Sequence, residues 1–281
     1  MKNMSENKQS SNSSGEKSLL PHNRWQVFAD RLRTHFGKYL MCGLLLLAFA
    51  MPMFALKMYA DLTAASLYDK FVGGEMFEAD YRGAVTSLQL VVSCVNVACY
   101  AIFAVGLAGV VRVVRQSAWS EPFSLWSDFA LGIKQNVVWY VALFAFLGLC
   151  NAFGTVFMQM RGDWVAYIPM CVYLFVLLPI AMHILVQVAV YNHKVGDIVA
   201  TSAYVYLKTL PVSVLFAVLF SCCGLLDLVP VVIVRYLCKF LFVLVMPIGI
   251  LGWFLCVCAA LDKYVNKQSY PSLVDKGVWR L

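Results

Sequence analysis

The sequence predicts an all-α membrane protein in which six transmembrane helices form a single domain. Three observations predict this class: six long apolar runs, a composition that is 62% hydrophobic but only 13% charged, and an unequal distribution of Lys and Arg between alternate connections. A soluble domain carries about 25% charged residues, so the low charge content indicates a surface in contact with lipid. We expect 1–18 to be a disordered cytoplasmic tail, 19–262 the six-helix transmembrane domain and 263–281 a cytoplasmic C-terminal tail.

Each of the six apolar runs is long enough to cross a bilayer as a helix. About 20 helical residues cover the roughly 30 Å of hydrocarbon in a membrane. The predicted spans are 38–59, 86–111, 137–158, 164–191, 211–234 and 240–260. Short connections join most of them, and we expect one longer outer connection at about 60–83.

The basic residues predict the orientation of the chain. When alternate connections are assigned to opposite sides, sixteen of the 22 Lys and Arg residues fall on the side that holds both termini. The positive-inside rule therefore places the N and C termini in the cytoplasm. The outer connection at 60–83 is net acidic, which agrees with this orientation. We attribute the formal net charge of +7 to orientation and to anionic lipid, and we expect no nucleic-acid partner.

Amphipathic segments precede the first, third and fifth predicted spans. In each one, apolar and aromatic residues recur at steps of three and four, which is typical of a helix with one apolar face. We expect these helices to lie along the membrane surface, and we expect the second to begin with Ser120 or Glu121 as its cap and Pro122 in its first turn. The three apolar stripes are formed by Trp25, Phe28, Leu32, Phe36 and Tyr39; by Phe123, Trp126, Phe129, Ala130, Ile133 and Val137; and by Ile198, Val199, Ala203, Tyr206 and Leu210.

This arrangement suggests three repeated units, each an interfacial helix followed by a transmembrane hairpin. Lys134 and Lys208 occupy equivalent positions before their spans, 74 residues apart. The alternative is that amphipathic helices beside membrane spans are common, and that the period has no structural meaning. Both interpretations are compatible with the sequence.

Four segments of the chain together carry a resemblance to a known family. They are 63–68 after a first span that contains Pro52, then 106–112, then 120–136 with its Leu-Trp-Ser-Asp-Phe core, and the carboxyl end at 262–280. These segments resemble the YesL-like family of bacterial membrane proteins, whose function is unknown. The resemblance covers most of the chain from about residue 25, and the long polar tail and the cysteine-rich fifth and sixth spans depart from it. It implies a multi-pass protein of the bacterial cytoplasmic membrane with a link to carbohydrate uptake or utilisation. It implies no catalytic residue.

Polar residues within the predicted spans are the candidates for a solute pathway, because an uncompensated polar group in lipid is costly. The candidates are Gln89, Asn96, Asn151, His183 and Gln187. Gln89 and Asn96 share one helix face, and so do His183 and Gln187. These side chains either line a pathway or form hydrogen bonds between helices, which is the more common role of such residues.

The sequence favours a non-enzymatic protein without a cofactor or a metal. Three of its four histidines, His22, His35 and His193, lie in basic connections without an acidic partner at a diagnostic spacing, and no nucleophile or phosphate-loop motif is present. The ten cysteines lie within or at the edge of apolar runs, where Cys acts as a small apolar residue.

Three functions of different classes agree with these features. The first is an accessory to carbohydrate uptake that contacts a carbohydrate transporter, or another membrane protein, through its cytoplasmic surface helices, with Trp126, Asp128, Phe129, Lys134 and Lys208 as candidate docking residues. The second is a transporter or permease-like subunit that moves a small solute such as a sugar. The third, a membrane enzyme, lacks candidate residues. In all three the lipid bilayer is the main partner.

Overall fold

The computed structural model describes residues 21–161, 163–191 and 194–278, and it contains helices and no strand within those ranges. The long helices are α1 (Arg24–Val72), α2 (Glu78–Ala118), α3 (Leu125–Met160), α4 (Trp164–Val190), α5 (Val195–Lys208), α6 (Leu210–Leu225) and α7 (Val232–Leu261). All except α5 are long and apolar enough to cross a membrane, so the all-α class and the six spans are confirmed. The predicted tail at 1–18 lies outside the described residues.

Most of the predicted outer connection at 60–83 is helical. The first helix α1 has 49 residues and α2 has 41, and only 73–77 separate them. The part of α1 that follows the break at His35, 36–72, is about 55 Å long, which is far longer than the hydrocarbon layer requires. Glycines make the turn, and Gly74 has a positive φ of 77° that a residue with a side chain rarely adopts. Above the turn, the rings of Phe71 and Tyr81 stack with their centroids 5.0 Å apart, which holds the ends of the hairpin together.

The three predicted surface helices differ in how they join the spans that follow them. Helix α5 is separate, because Thr209 interrupts the helix with φ −119° and ψ 21°. His35 interrupts α1 with nearly the same angles, φ −125° and ψ 19°. The segment before the third span has no such break and is the first part of α3. The position of these segments at the membrane surface and the threefold repeat stay predictions.

The start of α3 also differs from the prediction. The helix begins at Leu125, after Ser124, and not at Ser120 or Glu121. Ser120 has a positive φ of 60°, which places it in a turn. The backbone N–H of Ser124 donates a hydrogen bond to the carboxylate of Asp128 over 2.7 Å, so an acidic side chain in the first turn stabilises the start of the helix.

The predicted fifth span at 211–234 was too long at its carboxyl end. Helix α6 ends at Leu225, a short 3₁₀ turn follows at Leu226–Leu228, and α7 begins at Val232. Pro230 has no backbone N–H and separates the two helices. Because valine and leucine continue through this turn, hydropathy alone does not reveal it.

Glycines allow the helices of the bundle to approach closely. A methyl group on Gly43 would overlap the backbone of Leu244 in α7, and one on Gly132 would contact the Ala108 carbonyl of α2 at 2.8 Å. Because lipid supplies no hydrophobic drive for helix association, close van der Waals packing at small residues holds membrane helices together. Helix α7 is the most buried span, and it packs against α1 and α2.

The bundle has two ends, which we name by the orientation that the basic residues predict. The predicted outer end contains the turns at 73–77 and 229–231 and the connection between α3 and α4. The predicted inner end contains the start of α1, the connection at 119–124 and the carboxyl segment after α7. These names refer to the charge pattern of the chain.

The carboxyl segment packs onto the predicted inner end of the bundle. A π turn at Asp262–Asn266 continues α7 to Ser269, so the predicted C-terminal tail is helical in its first part. The guanidinium of Arg24 forms an ion pair with Asp262 at 2.5 Å, and Lys276 forms one with Glu121 at 2.8 Å. Tyr191, which follows α4, donates a hydrogen bond to Asn266, and burial raises the pKa of its phenol well above the ordinary value. The segment therefore links α1, α4 and α7 as far as Val278.

Candidate functional site

A central cavity of about 930 Å³ lies between the six spans. Each of α1, α2, α3, α4, α6 and α7 contributes side chains to its wall, and it extends from Lys57 and Asp227 near the predicted outer end to Val111 and Val186 deeper in the bundle. Small-molecule sites in proteins have volumes of about 300–1000 Å³, so this cavity is large enough for an extended ligand.

The wall of the central cavity is mainly apolar and rich in methionine and aromatic rings. Methionine is unbranched and flexible, so such a wall adapts to ligands of different shape. Aromatic rings provide large, rigid apolar surfaces. The methionines are Met53, Met158, Met170, Met182 and Met246; the rings are Phe54, Tyr100, Phe103, Phe144, Tyr173, Phe220, Phe242 and Trp253.

Two of the five predicted pathway residues line the central cavity. Asn96 on α2 and Asn151 on α3 both contribute to its wall. Neither side-chain amide has a hydrogen-bond partner in the part of the chain that the structure describes, so both are available to a ligand. Gln89 lies seven residues before Asn96 on α2, is exposed, and does not line the cavity.

The other two predicted pathway residues, His183 and Gln187, form hydrogen bonds between helices. His183 Nε2 lies 2.9 Å from the Ser213 hydroxyl of α6, and the Gln187 amide donates to the Ser202 hydroxyl of α5 over 2.9 Å. Both side chains are almost fully buried. His183 connects α4 to α6 and Gln187 connects α4 to α5. This is the hydrogen bonding between helices that the sequence left open as the alternative to a solute pathway.

A second, smaller cavity of about 320 Å³ lies beside His183. Thr209, Lys263 and Tyr264 also line it, and it is more open than the central cavity. The Nδ1 atom of His183 is buried without a hydrogen-bond partner among the described residues, and its ring packs edge-on against Trp253 with centroids 4.8 Å apart. Among the described residues no carboxylate orients this histidine, so the Ser213 contact there lacks the third group that activates a serine nucleophile.

A cluster of charged residues surrounds the outer end of the central cavity. Lys239 pairs with Asp227 at 2.6 Å, and both line the cavity. Asp61 lies beside them and forms ion pairs with Arg235 at 3.0 Å and with Lys57 at 3.2 Å. Sequence analysis missed this cluster, because Lys57 and Asp61 on α1 are far along the chain from Asp227, Arg235 and Lys239. The available signal was that Lys57, Arg235 and Lys239 are three of the six basic residues assigned to the outer side.

The candidate docking residues do not form one exposed surface. Trp126 has 62% of its surface exposed, and Lys134 and Lys208 are also exposed, on different helices. The side chain of Asp128 stabilises the start of α3, whereas Phe129 is only 6% exposed and packs against the ring of Phe49 with centroids 6.3 Å apart. Phe129 is therefore a packing residue of α3 in this structure.

Metal ligands are not grouped in the described part of the chain. No three His, Cys, Asp or Glu side chains of residues 21–161, 163–191 and 194–278 lie close enough together to hold a metal ion. All ten cysteines are within these ranges and are free thiols.

No family model, curated protein or solved structure matches this chain. The resemblance to the YesL-like family thus stays a prediction from the sequence. The class that the fold defines is a multi-pass α-helical membrane protein with a central cavity.

Proposed function

We propose that the protein is a permease-like membrane protein that admits an amphiphilic solute from the predicted outer side into its central cavity. The observation that carries this proposal is the cavity itself, about 930 Å³ in volume and lined by all six spans. Its wall is apolar over most of its length and charged only near Lys57, Asp227 and Lys239. A solute with an apolar body and one polar end fits such a wall.

The composition of the wall favours an amphiphile as the solute over the sugar that the sequence analysis gave as an example. A sugar that enters the cavity exchanges its hydrogen bonds with water for contacts with methionine and aromatic side chains. Each hydroxyl left without a partner costs about 1–3 kcal/mol. Asn96 and Asn151 supply only a few compensating groups. The same wall gains free energy from contact with an apolar chain, at about 25 cal/mol per Å².

Hydrogen bonds close the predicted inner end of the bundle, so the cavity corresponds to an outward-facing state of a carrier. The Tyr39 and Ser117 hydroxyls are 2.6 Å apart, and the Tyr140 hydroxyl donates to the Leu185 carbonyl over 2.8 Å. Arg115 donates to the Ala189 carbonyl over 2.7 Å. Release of a solute to the inner side requires that contacts of this layer separate.

Gly224 provides a direct test of the cavity. This residue lines the cavity near its outer end, and a Cβ atom added to it meets no other atom within 4 Å. We expect Gly224→Phe to occupy the space and to weaken saturable binding of the neutral apolar dye N-phenyl-1-naphthylamine about tenfold. Dye fluorescence is measured with the protein in phosphatidylcholine nanodiscs, after subtraction of empty nanodiscs.

The matched control for this experiment is Gly37→Phe. Gly37 is also helical, and a Cβ atom there also meets open space, but it lies on α1 outside both cavities. Both substitutions replace a helical glycine, so their effect on helix propensity is similar. Equal dye binding by wild type and both variants, or no saturable binding at all, would contradict a ligand site in the cavity.

A second candidate function is the non-enzymatic accessory of carbohydrate uptake, and the exposed Trp126 favours it. A large aromatic side chain exposed beside the predicted inner end is typical of a contact residue. If this function is correct, Trp126→Ser reduces recovery of a carbohydrate transporter after cross-linking and purification in mild detergent. The control is Phe77→Ser, which replaces another exposed aromatic side chain, at the hairpin turn of the predicted outer end, and should leave recovery unchanged. Recovery of the same partners with Trp126→Ser would exclude docking through this residue.

A further inference from the structure

We propose that the ligand of the central cavity is a single-chain amphiphile with one anionic head group, a carboxylate or a phosphate monoester, held by Lys57 and Lys239, while the nearby Arg235 adds positive charge to the cluster. This inference rests on the proposed function and adds the chemical class of the solute. It follows from the charges at the outer end of the cavity, from their position and from the volume behind them.

The charged cluster contains one more cation than carboxylate. Three basic residues, Lys57, Arg235 and Lys239, face two acidic residues, Asp61 and Asp227. Among the three basic residues of the cluster, Asp227 forms an ion pair only with Lys239. Asp61 is shared, because it pairs with both Lys57 and Arg235 and also accepts a hydrogen bond from the Tyr236 hydroxyl at 3.2 Å. One anionic group from outside the chain would balance the cluster.

The cluster lies where such an anion would be strongly attracted. The side chain of Lys239 is only 6% exposed and that of Arg235 is 16% exposed, whereas Lys57 is 43% exposed. Charges near an apolar wall interact more strongly than charges in water, because the surrounding dielectric is lower. Lys57 is the most accessible of the three cations, so we assign it the first contact with the head group.

The separation of charge from apolar wall determines the shape of the ligand. Charged side chains occur at one end of the cavity, and methionines such as Met182 and Met246 line its deeper part with Trp253. A ligand that contacts both must carry its charge at one end of an apolar body. This describes an amphiphile and excludes a solute that is charged or polar throughout.

The volume of the cavity is sufficient for one chain with its head group. A methylene group occupies about the volume of one water molecule in the liquid, roughly 30 Å³. A sixteen-carbon chain then needs about 500 Å³. The cavity has a volume of about 930 Å³, which leaves room for the head group beside the charged residues.

Photo-cross-linking with a fatty acid tests this inference. The probe is palmitic acid with a diazirine in its chain, and the comparison is hexadecanol with the same diazirine, both applied to the full-length protein in phosphatidylcholine nanodiscs. We expect the acid to label peptides that line the cavity about tenfold more than the alcohol does. Unlabelled palmitate and unlabelled lysophosphatidic acid are the competitors, and the stronger one identifies the head group as carboxylate or phosphate.

Lys57 and Lys70 form a matched pair on the same helix. We expect Lys57→Gln to reduce labelling by the acid about tenfold, to the level of the alcohol, and Lys57→Arg to restore it. Lys70 is exposed near the end of the hairpin, outside the cavity and without an ion pair among the described residues. Lys70→Gln should therefore leave labelling unchanged.

The outcomes separate this inference from the proposed function. Equal labelling by acid and alcohol that Gly224→Phe abolishes would overturn the anionic head group and keep the cavity as a solute site. Equal labelling that Gly224→Phe does not change would overturn both. Labelling by the acid that is insensitive to Lys57→Gln would also contradict the assigned contact.

Discussion

The polar residues within the spans have different roles although they look alike in the sequence. Asn96 and Asn151 line the cavity, Gln89 is exposed on α2, and His183 and Gln187 connect helices through buried hydrogen bonds. The sequence predicts that such residues avoid unpaired burial in lipid, because that is costly. It does not predict which partner each one finds, since the partners Ser213 and Ser202 are ordinary residues of other helices.

Gly43 offers a prediction at the scale of single residues. A methyl group on Gly43 would overlap the Leu244 carbonyl of α7, whereas one on Gly37, six residues earlier in α1, would meet no atom within 4 Å. We expect Gly43→Ala to destabilise the protein by about 1–3 kcal/mol through overpacking. Gly37→Ala should be neutral or stabilise it by up to about 1 kcal/mol, because alanine favours the helix.

Thermal unfolding in detergent, followed by size-exclusion chromatography with fluorescence detection, measures both variants. A lower midpoint for Gly43→Ala alone is the expected result. Equal midpoints for the two variants would show that α1 and α7 do not approach each other at Gly43.

At the scale of elements, the sequence predicts the existence of the helices better than their ends. Long apolar runs identified all six spans, because bilayer thickness imposes a minimum length on each one. The extension of α1 and α2 beyond their apolar parts was missed. In that extension, 60–72 and 78–85 are polar enough to resemble a loop, but contacts such as Phe71 with Tyr81 and Glu78 with Arg82 stabilise helix. The contact of Phe71 with Tyr81 forms only when the two helices of the hairpin pack side by side, whereas the pair of Glu78 with Arg82 is an i,i+4 contact within α2.

The breaks within helices also depended on more than local sequence. His35 and Thr209 interrupt their helices with similar backbone angles, whereas α3 continues through the corresponding region. The Thr209 hydroxyl donates a hydrogen bond to the Val205 carbonyl over 2.8 Å and lies 3.0 Å from the Ser213 hydroxyl. Hydrogen bonds of this kind compete with the regular helix ladder, and amphipathic periodicity does not detect them.

At the scale of the whole molecule, the charge pattern and the cavity give one consistent picture. Three of the six cations on the side with fewer basic residues gather around Asp61 and Asp227 at one end of the cavity. The side with more basic residues carries the hydrogen bonds of Tyr39, Tyr140 and Arg115 and the ion pair of Arg24 with Asp262. A carrier for an anionic amphiphile entering from outside would use this arrangement.

The orientation of the molecule is tested at the hairpin turn. A short epitope inserted after Gly74 should bind antibody on intact cells, because the positive-inside rule places 73–77 outside. Gly74 tolerates an insertion well, since it lies in a turn with open space around it. The control is the same epitope after Gly196, which is also open but belongs to the predicted inner side and should bind antibody only in permeabilised cells. The reverse pattern of accessibility would invert the orientation and the proposed direction of solute entry.

The sequence by itself determined that lipid surrounds the helices, how many spans there are, and which orientation to expect. Those properties follow from hydropathy, helix length and the sign of charge, which are sums over neighbouring residues. Only the tertiary structure decided where the cavity lies, which amides face it and which cations meet at its mouth. Lys57 lies on α1, whereas Asp227 and Lys239 lie in the turn after α6 and on α7, so no local pattern along the chain records the proximity of all three.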